Sequence, residues 1–151
     1  MKNCIVLDVD GVILNTAFLF KEIFDLGLKG DKMWDYFHEN CNSNKVELIP
    51  EFEEFYTLLL STKLQLNMDF VLLTSRNEKV RKETENKLKL EGVIFDKLIM
   101  RAENDYREAH ILKKEALQEL SKEYNILMYI DDDLKNCEAA KGLGIYSLRK
   151  V

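Results

Sequence analysis

The sequence predicts a three-layer α/β/α fold, with a central parallel sheet of about five strands between two layers of helices. Short apolar runs alternate with longer segments of helical period, the pattern of repeated strand–helix–strand units. Reactive polar residues stand after three of these runs, while ordinary ones such as Asn3, Asp69 and Asn125 stand before them. Open parallel sheets bind ligands beyond the carboxyl ends of their strands, so this asymmetry suits such a sheet.

The first run, Cys4–Asp8, leads into Asp8-Val9-Asp10-Gly11. If the strand continues through both aspartates, their side chains share a face, because strand residues alternate with a period of two. Two such anions persist where something positive sits near them, usually a hard cation held by oxygen ligands. Gly11 lets the backbone turn sharply and approach a ligand. Residues 16–49 are the least regular part, with one helix candidate at Ala17–Leu26 and an aromatic patch in which Trp34, Tyr36 and Phe37 read as packing residues. The segment is too short for a large cap domain, so a small lid insertion is expected.

Pro50 suits the first position of a helix over Glu51–Leu64, with Phe52, Phe55, Tyr56 and Leu59 on one face. The second run, Phe70–Thr74, exits into Thr74-Ser75-Arg76 and is followed by a helix over Glu78–Glu91 that closes at Gly92. The third run is Leu98–Arg101. A helix over Glu108–Tyr124 follows, carrying Ile111, Leu112, Ala116, Leu117 and Leu120 at three- and four-residue spacing. The fourth run, Ile126–Asp131, exits into Asp131-Asp132-Asp133, where Asp133 also suits a helix N-cap. A helix over Leu134–Lys141 and a strand at Tyr146–Leu148 complete the chain.

A length of 151 residues supports one core, so a single domain over 1–151 is expected. No apolar run approaches the ~20 residues that span a bilayer. The stretch MKNCIVLDVDG lacks the long apolar segment and cleavage site of a signal peptide, so a cytoplasmic location is expected. Cys4, Cys41 and Cys137 show no CxxC spacing, which argues against a disulfide framework or a thiolate zinc site. His38 and His110 have no second ligand at helical spacing and read as surface or core residues. A net charge of −5 gives no footprint for wrapping long nucleic acid, but leaves a phosphorylated end or a small molecule as substrate.

Two aspartates after the first run, a hydroxyl after the second, an acid pair after the fourth and a lysine at Lys113 or Lys114 are the parts of a phosphoryl-transfer site. No GxxxxGK[ST] or GxGxxG phosphate loop occurs. A carboxylate attacking an anionic phosphate ester needs Mg²⁺ to offset the repulsion, and Thr74 and a lysine would donate to the phosphoryl oxygens.

These residues resemble the haloacid dehalogenase (HAD) superfamily of phosphotransferases along the whole chain. DVDGV resembles the family's first motif, DxDG[TV]; LLTSR resembles its strand ending in threonine, and YIDDDLKN its terminal acidic motif. TSRNEKVRKETENKL and FDKLIMRAENDYREAHILKKE are similar to the phosphatase modules of polynucleotide kinase 3′-phosphatases, in which a strand ends in arginine and Asp-x-Arg precedes the motif lysine. Here these positions are Arg101, Asp105, Arg107 and, by spacing, Lys113, with Lys114 one position out of register.

The resemblance implies a Rossmann-like HAD fold and a set of roles. Asp8 would attack phosphorus to form an aspartyl phosphate, and Asp10 would protonate the departing alkoxide and then activate water. Thr74 and Lys113 would hold the phosphoryl oxygens, and Ser75, Arg76, Arg101 and Arg107 would contact substrate. Mg²⁺ would sit between the Asp8 carboxylate, the Asp10 carbonyl and Asp132, with Asp131 or Asn136 acting through water. The expected activity is Mg²⁺-dependent phosphomonoester hydrolysis at nucleic-acid 3′ ends. The alternatives are a free-nucleotide or small-metabolite phosphatase, a receiver-like signalling module and a non-catalytic phosphate binder. A receiver carries its acceptor aspartate after the third strand, where LIMR has none.

Overall fold

A computed structural model describes residues 1–151. In chain order the elements are β1 (Lys2–Leu7), β2 (Leu14–Asn15), α1 (Ala17–Asp25), α2 (Asp31–Asn40), β3 (Glu47–Leu48), α3 (Pro50–Leu66), β4 (Asp69–Asn77), α4 (Arg81–Leu90), β5 (Lys97–Arg101), α5 (Ala109–Leu120), β6 (Tyr124–Asp131), α6 (Leu134–Gly142) and β7 (Ser147–Arg149). Five strands form a wholly parallel sheet in the order β5-β4-β1-β6-β7. No helix is long and apolar enough to cross a membrane.

The alternation of β1 divides the core. Ile5 and Leu7 join an 18-residue buried cluster with Phe70 and Leu72 of β4, Phe52 and Leu59 of α3 and Leu88 of α4. Cys4 and Val6 face the other way, into a nine-residue cluster with Val71, Leu73, Tyr129, Leu117 and Leu120 of α5 and Ala140 of α6. Helices therefore cover both faces, and each central strand is apolar on both. Truncating a buried leucine such as Leu72 or Leu117 to alanine should cost about 2–5 kcal/mol.

The chain builds outward from β1 through β4 to β5, then returns to β6 on the other side of β1. Strand order reverses between β1 and β6, which places Asp8 and Asp131 at the switch point where such sheets bind ligands.

Several boundaries differ from the sequence expectation. The first strand ends at Leu7 instead of continuing through the aspartates. The Val9 carbonyl accepts from the N–H groups of Ile13 and Leu14, at 2.9 and 3.0 Å, and Gly11 adopts φ +82°, so the chain curls away at once. Strand β4 runs to Asn77, past a register irregularity between Leu73 and Asn77. The helix expected from Glu78 opens as a 3₁₀ turn, Glu78–Val80, capped by Asn77 accepting from the Lys79 N–H. Helix α5 ends at Leu120 because β6 already begins at Tyr124.

Helix α2 was not expected. It buries only Phe37 of its ten residues, leaving little periodic signal to read. Phe37 and Cys41 pack with Leu19 and Ile23 of α1 in a small cluster of their own, and Phe18 packs against both this cluster and the main core. The two-residue antiparallel pair of β2 and β3 closes the base of the insertion. Tyr36 donates to Glu22 at 2.8 Å, whereas Trp34, expected to pack, is nearly half exposed.

Candidate active site

Asp8 follows β1 directly and is buried. Its N–H donates to the Ile130 carbonyl of β6, which fixes it at the strand exit. Lys113, on the inner face of α5, is also buried and lies 2.9 Å from Asp8 Oδ1 and 2.7 Å from Asp131 Oδ2. Burial pushes the Asp8 carboxyl well above its ordinary range, with Lys113 opposing and the Asp131 charge adding. Burial alone would lower Lys113, but the two carboxylates facing it raise it above its usual value. Lys114, one position along the helix, is exposed.

Asp131 is enclosed by donors. Oδ2 accepts from Lys113 Nζ, Asn136 Nδ2 at 3.1 Å and the Tyr129 hydroxyl in a short contact, and Oδ1 accepts from the Asp133 N–H at 2.8 Å. Burial would raise its carboxyl, but Lys113 and these hydrogen bonds hold it below the ordinary carboxylate value. Asp132 opens to solvent. Asp133 caps α6 by accepting from the Asn136 N–H at 3.1 Å. The sequence reading missed Tyr129, although a period of two on β6 places it on the same face as Asp131.

Asp10 points elsewhere. Arg76 Nε and Nη2 donate to its two oxygens at 2.9 and 2.7 Å, a bidentate pair with a side chain of zero exposure. Arg76 also donates through Nη1 to Asn42 Oδ1 at 2.6 Å and Thr84 Oγ1 at 3.2 Å, and through Nη2 to the Cys41 carbonyl at 3.1 Å. All five of its N–H groups therefore have protein acceptors, which corrects the expectation that Arg76 contacts substrate. The nearby His38 Nε2 accepts from the Asn77 N–H at 3.2 Å; burial, then Lys79, hold this imidazole below its ordinary value. Asn42 and Thr84 stand 34 and 8 residues from Arg76, a separation with no local sequence signal.

The Thr74 hydroxyl accepts from the Arg76 N–H at 3.1 Å, leaving its own proton to donate. Thr74, Ser75, Arg101, Arg107 and Lys113 line a cavity of about 380 Å³. A larger one, about 990 Å³, adjoins it through Ser75, Arg101, Asp105 and Arg107 and reaches Trp34 and His38 on α2. Arg101 braces the loop after β5, donating to the carbonyls of Ser75, Asp105 and Arg107. Arg107 is paired with both Asp105 and Glu115, and hydrogen bonding to Arg107 pulls the Asp105 carboxyl down to about 2.

The sequence profile described as HAD superfamily, subfamily IIIB (acid phosphatase) matches residues 1–146. The chain belongs to that superfamily. That family is one of phosphatase-type hydrolases. No curated protein gives a significant match. Among solved structures, the HAD chain is similar in fold to a chain of the Pnkp1/Rnl/Hen1 complex, with a TM-score of 0.73 and 22% identity; the match covers 99% of this chain but only 46% of that one. It also resembles a tungstate-bound class C acid phosphatase from Bacillus anthracis, with a TM-score of 0.66 and 17% identity over 97% of this chain and 66% of that one. A haloacid dehalogenase-like hydrolase from Streptococcus pneumoniae gives 0.64 and 15% over 98% and 84%.

HAD phosphatases generally use a divalent metal, and this chain has a donor set that fits one. Carboxylate oxygens of Asp8, Asp131 and Asp132 lie within 4.8 Å of one another. A Cβ at Gly11 would lie 2.1 Å from Asp132 Oδ2, so only a glycine there leaves Asp132 its place beside the Asp8–Asp10 turn. Three hard oxygen donors without sulfur or imidazole suit Mg²⁺ or a similar ion.

Proposed function

We propose that this chain hydrolyses phosphomonoesters through an aspartyl phosphate on Asp8, with Mg²⁺ as cofactor and the phosphorylated 3′ end of a nucleic acid as substrate. The observation that carries the reading is the pairing of Asp8, at the sheet's switch point, with a buried lysine that also faces a second carboxylate. Asp8, Asp132 and the Asp10 carbonyl would hold the metal, with Asp131 orienting Lys113. Bound there, the ion would neutralise phosphoryl charge and align its oxygens.

The chain's own residues then supply two steps. An Asp8 oxygen attacks phosphorus, the phosphorus–ester oxygen bond breaks, and the departing alkoxide takes a proton from Asp10. Water next attacks the same phosphorus, Asp10 accepts its proton, and the Asp8–phosphorus bond breaks to release inorganic phosphate. Thr74 and Lys113 donate to the phosphoryl oxygens in both steps. Arg76 occupies one lone pair on each Asp10 oxygen, which leaves a second on each to carry the proton.

The likeness of Arg101, Asp105 and Arg107 to the 3′-phosphatase pattern and the neighbour from the Pnkp1/Rnl/Hen1 complex support the nucleic-acid reading. One observation favours a mononucleotide or small metabolite instead. The larger cavity is lined by Asp31, Asp35, Glu103 and Glu108, while Arg107 is already paired with acids, so a chain of further phosphates meets repulsion there. The three free, buried cysteines fit a reducing, cytoplasmic compartment.

A panel of a 3′-phosphorylated oligonucleotide, its 5′-phosphorylated isomer, nucleoside 3′- and 5′-monophosphates and sugar phosphates, with Mg²⁺, with Ca²⁺ and with chelator, tests the reading. Hydrolysis should require Mg²⁺ and fail with Ca²⁺ or chelator, and kcat/KM should be highest for the 3′-phosphorylated oligonucleotide. Full activity in chelator refutes the metal site. A ~10-fold advantage of free nucleotides or sugar phosphates, ~1.4 kcal/mol in transition-state stabilisation, replaces the 3′-end reading with the small-molecule one.

A further inference from the structure

The guanidinium that holds Asp10 is itself held from the insertion. Of the five N–H groups of Arg76, two meet Asp10 and three meet Asn42 Oδ1, Thr84 Oγ1 and the Cys41 carbonyl. Asn42 is fixed at both ends of its amide, because its Nδ2 donates to the same Thr84 hydroxyl at 3.2 Å. Thr84 is fully buried on α4, and Cys41 and Asn42 directly follow α2. Neither Asn42 nor Thr84 lines the cavities that contain Thr74, Lys113 and Trp34. The hydrogen bond from the Asn77 N–H to His38 pins α2 to the end of β4 a second time.

We infer that Asn42 is a positioning residue for proton transfer by Asp10, acting through Arg76, so that the 16–49 insertion sets the geometry of that transfer without touching the phosphoryl group. The inference rests on the role given to Asp10 above. The orientation of the Asp10 carboxyl is set by its two charge-assisted bonds to Arg76. Arg76 is buried and charged, so it follows whichever acceptors remain. Asn42, Thr84 and the Cys41 carbonyl fix the guanidinium, and the guanidinium fixes the Asp10 carboxyl. Without the Asn42 oxygen, Nη1 retains only the 3.2 Å contact with Thr84. The guanidinium then shifts, and the Asp10 carboxyl shifts with it.

Such a displacement matters where the leaving oxygen needs a proton and much less where it does not. An alkoxide must be protonated as it leaves, whereas the 4-nitrophenolate ion departs without a proton. Comparing two substrates therefore separates positioning of Asp10 from general damage to the fold.

The experiment measures kcat/KM with Mg²⁺ for 4-nitrophenyl phosphate and for the alkyl phosphate that the enzyme turns over fastest. The proteins are the unsubstituted chain, Asp10→Asn, Asn42→Ala, Thr84→Val and Thr84→Ser. This parameter covers the steps through phosphoryl transfer to Asp8, and the ratio of two substrates in one preparation does not depend on how much of it is folded. Asp10→Asn should lower the alkyl ester at least ~10²-fold more than the aryl ester. Asn42→Ala should lower the alkyl ester about tenfold and the aryl ester by no more than about threefold, with the alkyl KM nearly constant and the loss in kcat. Thr84→Val should follow in the same direction, and Thr84→Ser, which keeps the hydroxyl, should restore the ratio. An equal fall for both esters in Asn42→Ala, or an unchanged ratio, overturns the inference while the Asp10 assignment stands on its own variant. If Asp10→Asn leaves the ratio unchanged, the proton role of Asp10 is wrong and the Asn42 inference falls with it.

Discussion

Asp8 and Asp10 lie two residues apart and each faces a buried cation, yet the two cations are held differently. Lys113 meets the Asp8 and Asp131 carboxylates and has one ammonium N–H left over. Arg76 meets Asp10, Asn42, Thr84 and the Cys41 carbonyl and has none. The first cation keeps capacity for a further oxygen, which on the proposed reading an arriving phosphoryl group would supply. The second is closed within the protein and can only orient what it already holds. The difference follows from where the chain leaves the sheet: β1 ends at Leu7 and the backbone curls from Val9 onward, so Asp8 meets α5 and β6 while Asp10 meets β4 and the insertion.

The largest expected effect comes from breaking the first pair. Lys113→Ala leaves Asp8 and Asp131 buried without their cation, so stability should fall by about 3–5 kcal/mol and turnover by at least ~10²-fold. Lys114→Ala, on an exposed position, should change both by less than about twofold. Urea titration and steady-state kinetics on the two variants give the ranking, and the reverse order would move the phosphoryl contact to Lys114.

A smaller effect is expected at the turn that follows the two aspartates. Gly11→Ala places a methyl group in the left-handed region, where strain costs about 1–3 kcal/mol, and drives it into the Asp132 carboxylate. Half-maximal activity should therefore require more Mg²⁺ than in the unsubstituted chain. A Mg²⁺ titration with unchanged midpoint would remove Asp132 from the metal site.

The smallest effect concerns the thiols beneath each region. Burial pushes Cys4 up to about 12 and Cys41 up to about 11. Both folded values lie above the ordinary 9.0, so their contribution to stability is complete below pH 9 and drains as pH rises toward those values. Neither should react with iodoacetamide in the folded chain at about pH 8, and the urea midpoint should fall between about pH 9 and pH 11. Rapid native alkylation of Cys41 would show that the seam beside Arg76 is open.

The sheet was legible because each central strand is a short run apolar on both faces, as Cys4 to Leu7 are, and a covering helix such as α5 repeats its apolar residues at helical spacing, as Leu117 and Leu120 do. The acids at the strand exits were legible for the same reason, since a parallel sheet gathers its carboxyl ends at one edge. Helix α2 was not, with Phe37 its one buried residue. Nor was the use of Arg76. As part of the Thr74-Ser75-Arg76 exit it looked like a substrate contact, but the irregular end of β4 carries it inward to Asp10, and the acceptors that complete its shell come from Asn42 and Thr84 on other elements. Long-range polar pairing of this kind leaves no periodic trace in a sequence.

The most direct test of the division between the two aspartates is the protein's own mass after rapid mixing with substrate and Mg²⁺ and quenching in acid. Asp10→Asn should accumulate a species heavier by one phosphoryl group, located on Asp8 by fragmentation, because its second step lacks the base while its nucleophile remains. Asp8→Asn should show no such species and at least ~10²-fold slower turnover. A phosphorylated Asp8→Asn chain, or one turning over near the normal rate, would contradict the account.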